Sequence, residues 1–208
     1  MYTRLVVTLG VALALCGCTL HNAGSVAGSG SLSATPPGPG AVLQVTVPYN
    51  TQISARGPEW GILRTQNPDA RFADTIAHAA REYAGLDVIP PFKVARTLEE
   101  AGLHAGLHPD PAHMQDAVRA VECGSFLTAD VARWQCNYVL LTSCSVIEFD
   151  LTCRSAKDGR EIWNVHVFQR ARGLSDGEVA GLALAEAFRW LKKNDPAAHD
   201  AQTEAGPP

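Results

Sequence analysis

Apolar and polar positions along the chain divide it into segments with different periods. Phe72, Ile76, Ala79 and Tyr83 recur at spacings of four, three and four, the stripe of an amphipathic helix. Asn67-Pro68 supplies its cap and first position, and Gly85 ends it. Before it, Val42, Leu43, Val45 and Val47 predict a short strand that stops at Pro48, and Leu86–Ile89 predicts another after it. Val94, Leu98 and Ala101 mark a second helix closed by Gly102. Met114, Val118 and Val121 mark a third behind Asp110-Pro111, and Leu127 to Trp134 reads as a short fourth. From Val139 to Cys153 the odd positions Val139, Leu141, Ile147, Phe149, Leu151 and Cys153 alternate with Thr142, Glu148, Asp150 and Thr152, which predicts strand with one face buried. That alternation fits either one long bent strand or two joined near Ser145.

Lys157-Asp158-Gly159 predicts a hairpin turn, because Asp-Gly supplies the positive φ angles a tight turn needs. The return strand runs from about Arg160 to Arg170. Ser175 and Glu178 form a capping box for a last helix with Ala180, Leu184, Ala187, Phe188 and Leu191 inward. The order β-α-β-α-α-α-β-β-(β)-α predicts an α/β fold, a mixed β-sheet packed with helices.

The ends of the chain read differently. Arg4 precedes an apolar run from Leu5 to Leu15, too short for about 30 Å of hydrocarbon but suited to a signal-peptide core. Leu15-Cys16-Gly17-Cys18 resembles the lipobox cut by lipoprotein signal peptidase, with Cys18 as the lipidated residue. Residues 1–17 are thus expected to be the signal peptide, and 18–40 a lipidated cysteine followed by a Gly/Ser/Pro tether. Such a tether reaches on the order of 25 Å on average and roughly 70 Å at full stretch. One globular domain is expected over 41–193 and a disordered tail over 194–208. In lipoproteins of this kind Thr19, rather than Asp, after the modified cysteine implies the outer membrane, facing the periplasm.

The first strand into Val47-Pro48-Tyr49-Asn50, the entry Asn137-Tyr138-Val139-Leu140 and the hairpin Gly159-Arg160-Glu161-Ile162-Trp163 carry a family resemblance. The chain resembles envelope lipoproteins related to the curli secretion lipoprotein and the TolB amino-terminal domain. Lipoprotein activators of penicillin-binding proteins and small polysaccharide-export lipoproteins share that group. The resemblance implies a TolB amino-terminal-like sandwich. It departs at Thr142 and Ser143, where a glycine is usual, at Ser155, where an aspartate is common, and in the long connection Gln52–Gln66.

Net charge of -4 without a basic block disfavours nucleic-acid binding, which needs cations to meet phosphates. Four cysteines remain after Cys18, and an even number in an exported chain points to disulfides, with buried free thiols as the alternative. Cys123 and Cys136, flanking the predicted fourth helix, are the first candidate pair. His104, His108 and His113 could approach a metal, but Gly106 and Pro109 place them in a loop, so no metal or other cofactor is expected. Glu148 and Asp150 share a strand face as paired carboxylates might, although alternation alone puts polar residues there. Trp163 reads as a core aromatic of the hairpin. No nucleophile elbow or phosphate loop occurs.

The sequence therefore predicts a non-catalytic binding or assembly component of envelope biogenesis or export, joined to the membrane by its lipid anchor and to an envelope protein or to further copies of itself. The alternatives are a subunit of a ring-forming export complex and a metal-dependent envelope hydrolase using the histidine loop. In the connection Gln52–Gln66, Trp60 and Arg64 are the candidate partner contacts, an aromatic beside a guanidinium.

Overall fold

A six-stranded mixed sheet organises the chain, in the order β1-β6-β5-β4-β2-β3. The computed structural model describes residues 22–46, 68–103, 111–139 and 142–196. The elements are β1 (Ala23–Gly30), β2 (Gly40–Thr46), α1 (Pro68–Ala79), β3 (Val88–Ile89), α2 (Pro91–Glu100), α3 (Met114–Val121), β4 (Ser125–Val139), β5 (Thr142–Ser155), β6 (Glu161–Arg172) and α4 (Asp176–Lys193). β1, β6, β5 and β4 pair antiparallel, and β4, β2 and β3 pair parallel. The parallel strands are the ones separated in sequence by helices, as a crossover requires. No helix among the described residues is long and apolar enough to cross a membrane.

The predicted stripes become the core. Phe72, Ile76 and Ala79 of α1 are buried, and so are Ala180, Leu184, Ala187, Phe188 and Leu191 of α4. They meet one face of the sheet, built from Ile147, Phe149 and Leu151 of β5 and Trp163, Val165 and Val167 of β6. The Phe72 ring stands edge-on to both Phe149 and Trp134, each 5.2 Å away between centroids. Trp134 donates from Nε1 to Asp176 Oδ2 at 2.8 Å, fixing the start of α4 to β4. Trp163 is fully buried, as expected for a core aromatic. The capping box forms as read: Ser175 accepts from the Glu178 amide, and Glu178 accepts from that of Ser175.

Three expectations change, and one open alternative is decided. Leu127–Trp134 is not a helix but part of β4. Leu127, Val131 and Trp134 fit a helical stripe, yet Leu127, Ala129 and Val131 also alternate with Thr128 and Asp130. Two flanking strands, β2 and β5, decide for the shorter period. A register shift between Val131 and Arg133 then turns Trp134 to the face of Ile147. From Thr142 the alternating run is a single strand, β5, unbroken at Ser145, while Val139 closes β4 opposite Thr142.

The expected tether holds a strand: Ala23–Gly30 pairs along its whole length with β6, from Ala23 opposite Arg170 to Gly30 opposite Trp163. Two of its glycines follow from what lies against them. A Cβ at Gly28 would run into the Asn164 carbonyl of β6, and one at Gly24 would meet Gln169 and lie 3.1 Å from Glu186 Oε2. Backbone pairing rather than apolar burial holds β1, so hydropathy does not reveal it. Nor is the start of the tail loose. Asp195 is buried and accepts from Ser31 Oγ at 2.6 Å, the Ser33 amide at 2.8 Å and Ser33 Oγ at 2.9 Å. The folded unit thus reaches from β1 to Asp195, beyond both boundaries of 41–193.

Candidate binding surface

β5 and β6 turn alternate side chains away from the helices, and these line a second, water-facing side of the sheet. The hairpin sets their register. With its turn at Asp158, Asp150 stands opposite His166 and Glu148 opposite Phe168, and the same rows continue into β4 and β1. One row runs Asp130, Asp150, His166, Ala27. The next runs Arg133, Glu148, Phe168, Ser25.

The rows interlock through polar side chains. His166 Nδ1 lies 3.0 Å from Asp150 Oδ1, and its Nε2 lies 3.7 Å from Glu148 Oε1. Arg133 Nε stands 3.9 Å from Glu148 Oε2. Side-chain exposures of 58% for Asp150, 44% for His166 and 49% for Arg133 put these contacts in water. Exposed pairs of this kind are worth about 0–1 kcal/mol each, so the cluster adds little stability. It presents donors, acceptors and one half-buried aromatic ring, Phe168, on an open sheet. General acid–base chemistry gains from an enclosed, substrate-holding cleft, whereas this surface is suited to contact with another macromolecule.

A small cavity lies elsewhere, about 200 Å³ between the N-terminal arm and the sheet, lined by Leu32, Thr35, Leu86, Val88, Leu127 and Cys153 among others. That is below the roughly 300–1,000 Å³ of ordinary ligand pockets. Burial pushes the Cys153 thiol up to about 12. A Ser125 hydrogen bond lowers it in part, and Cys123 nearby raises it. Burial likewise takes Cys123 up to about 11. A thiol so held is protonated near neutrality and is a poor nucleophile.

The Cys123–Cys136 pairing is overturned. Cys123 precedes β4, and Cys136 lies eleven residues beyond its first residue, Ser125. At about 3.3 Å per residue Cys136 is roughly 36 Å along the strand from Ser125, two residues after Cys123, against a disulfide limit near 7 Å between Cα atoms. Cys123, Cys144 and Cys153 are buried free thiols. His113 sits in the short turn Pro111–His113 before α3, while His104 and His108 lie outside the described residues. Among the described residues no three His, Cys, Asp or Glu side chains are arranged to hold a metal. Cys18, Trp60 and Arg64 also lie outside the described residues.

Sequence reasoning singled out Glu148 and Asp150 but missed His166 and Phe168. The signal was present: positions placed symmetrically about Asp158 are opposite one another, which pairs Asp150 with His166 directly.

No protein-family model matches the chain, and no curated protein matches it in sequence. Solved structures do. The PelC dodecamer from Paraburkholderia phytofirmans superposes with a TM-score of 0.54 at 13% identity, covering 81% of this chain and 97% of PelC. A second crystal form, of a PelC variant from the same organism, gives 0.55 at 12% identity over 80% and 96% of the two chains. Lipoprotein GNA1162 from Neisseria meningitidis gives 0.46 at 15% identity over 74% and 97%. At these identities the likeness to PelC is one of fold.

Proposed function

We propose that the chain is a lipoprotein tethered through Cys18 to the outer membrane on its periplasmic side, and that its domain is a non-catalytic binding or assembly component of envelope biogenesis or export. The observation that carries the assembly reading is the fold shared with PelC, a protein that forms a dodecamer. The open sheet face adds to it, since Phe168 opposite Glu148, on the face that carries Arg133, Asp150 and His166, suits a protein contact better than a reaction. Trp60 and Arg64 are proposed as further contacts. Membership of a ring-forming export complex is the second reading, favoured by the same PelC likeness.

The anchor rests on Leu15-Cys16-Gly17-Cys18. Each buried methylene contributes about 0.8 kcal/mol, so several acyl chains hold where one does not. Cys18→Ala should abolish incorporation of labelled palmitate and removal of the signal, and persistent labelling of that variant overturns the anchor. For the domain, the test is co-purification after mild solubilisation of the envelope. Phe168→Ala together with Glu148→Ala should remove a bound protein without altering the melting temperature. A partner retained by that variant would rule out the open face as its site.

A further inference from the structure

The sheet has two margins, and they are unlike. β3 offers two residues, whereas β1 offers eight, in register with β6 without a shift. Among the described residues nothing pairs with the outer edge of β1. Alternate residues there turn their N–H and C=O groups outward, and such an edge is a template for another strand. Proteins guard edges with lysine, proline, bulges or a covering element. The β1 sequence Ala-Gly-Ser-Val-Ala-Gly-Ser-Gly contains no charge and no proline, and seven of its eight residues are exposed.

We infer that this edge pairs with the same edge of a second copy, antiparallel about a two-fold axis at Val26, so that two six-stranded sheets become one. The inference deepens the assembly reading above and rests on it only for the anchor that gathers copies on one surface. Directly opposed residues of antiparallel strands share a face, so a symmetric pairing must keep parity. An axis at Val26 does so, setting Ala23 against Ser29, Gly24 against Gly28 and Ser25 against Ala27. It leaves out Gly30, whose φ of +94° takes it off the extended line. No opposed pair carries a charge to repel or bulk to collide, so the edge is complementary to itself.

The occupant follows from the same residues. A foreign strand is selected through pockets for its alternate side chains. Beside its glycines β1 offers none, since Gln169 and Glu186 fill the space over Gly24 and the β6 backbone fills that over Gly28. A narrow main-chain contact is weak between freely diffusing chains and becomes effective where a shared membrane raises the local concentration.

The test uses the full chain in its membrane. Val26→Cys should give a disulfide-linked homodimer on mild oxidation. In that background, Ser25→Lys with Ala27→Lys sets like charges across the junction and should abolish the dimer. Ser25→Lys with Ala27→Glu sets opposite charges there and should restore it. Equal melting temperatures of the three variants show that β1 still holds to its own sheet. The inference is overturned if Val26→Cys gives no dimer, if the double-lysine variant still forms it, or if Val26→Cys links to a different protein. Palmitate labelling of the same samples reports separately on the anchor. Should none be incorporated, cross-linking the three variants as concentrated lipid-free chains decides the pairing by the same pattern.

Discussion

Asp195→Ala should release the N-terminal arm while leaving the rest of the domain folded. Asp195 is 6% exposed and takes three hydrogen bonds from Ser31 and Ser33, in the turn that follows β1. A hydrogen bond to a charged group contributes about 1.5–3 kcal/mol. The three do not add, because Ser33 is exposed and water takes over its donors once the carboxylate is gone. The expected loss is therefore about 3 kcal/mol, close to one such bond at full strength, and it falls on the docking of the arm. The rest of the arm is held by strand pairing, Val26 and Leu32 packing, and a bond from Trp163 Nε1 to Thr35 Oγ1 at 3.3 Å. If the arm opens as a unit, 3 kcal/mol corresponds to roughly 150-fold faster amide exchange there. Hydrogen exchange followed by mass spectrometry reads this directly. The peptide covering Ala23–Gly30 should accelerate while the α4 peptide around Phe188 does not. Asp195→Asn, which keeps one acceptor, should fall between. Unchanged exchange in β1, or equal acceleration in β1 and α4, would refute the reasoning.

A chain begun at Ala41 loses β1 and opens the edge of β6, so it should melt lower and aggregate more than one begun at Asn22, and equal melting would show β1 to be dispensable. Cys123 and Cys153, pushed up to about 11 and 12 by burial, should resist a thiol reagent at pH 8 until the chain is unfolded in urea, and rapid native labelling would contradict that burial. The folded state keeps thiol protons that the unfolded state sheds from about pH 9, so this stabilisation is complete below pH 9 and is lost as pH rises towards 11 to 12. Ser175→Ala removes a capping box and should cost about 1 kcal/mol by urea denaturation. The Glu178 carboxyl, held below its usual range by the Ser175 amide and hydroxyl, should then titrate higher by NMR.

What the sequence discloses depends on whether side-chain burial or backbone pairing makes the element. α1 and α4 bury whole stripes, so Phe72, Ile76, Leu184 and Phe188 are legible from spacing alone. β5 and β6 bury one face each and read correctly from Ile147 to Cys153 and from Glu161 onward. β4 is ambiguous because its spacing serves two periods, and only neighbours distant in sequence decide between them. β1 is invisible to hydropathy: backbone pairing at an exposed edge holds it. Gly24 and Gly28 answer close approaches from Gln169 and from the β6 backbone, and such small residues also make linkers. The binding surface follows the same rule. Glu148 and Asp150 stand out by parity, while His166 and Phe168 need the hairpin register as well. Asp195 is the hardest to foresee, since nothing local marks one aspartate after a helix as the partner of serines 162 and 164 residues earlier.

Finding β1 so near Cys18 alters what an anchor there would do. A tether running to residue 40 would let the domain range up to roughly 70 Å from the membrane. With the first strand at Ala23, only four residues, Thr19 to Asn22, separate it from Cys18. Five steps of extended chain span about 17 Å at most. A lipid on Cys18 would therefore hold the start of β1, and the Arg170 and Arg172 end of β6 beside it, within a couple of nanometres of the bilayer. The domain could rotate on so short a leash but could not travel. Its partners would have to come to the membrane surface, and copies of it would meet there as neighbours in two dimensions. Edges weak in dilute solution pair best under that confinement, so the short leash and the unguarded strand favour the same outcome, assembly along the membrane rather than reach across the periplasm.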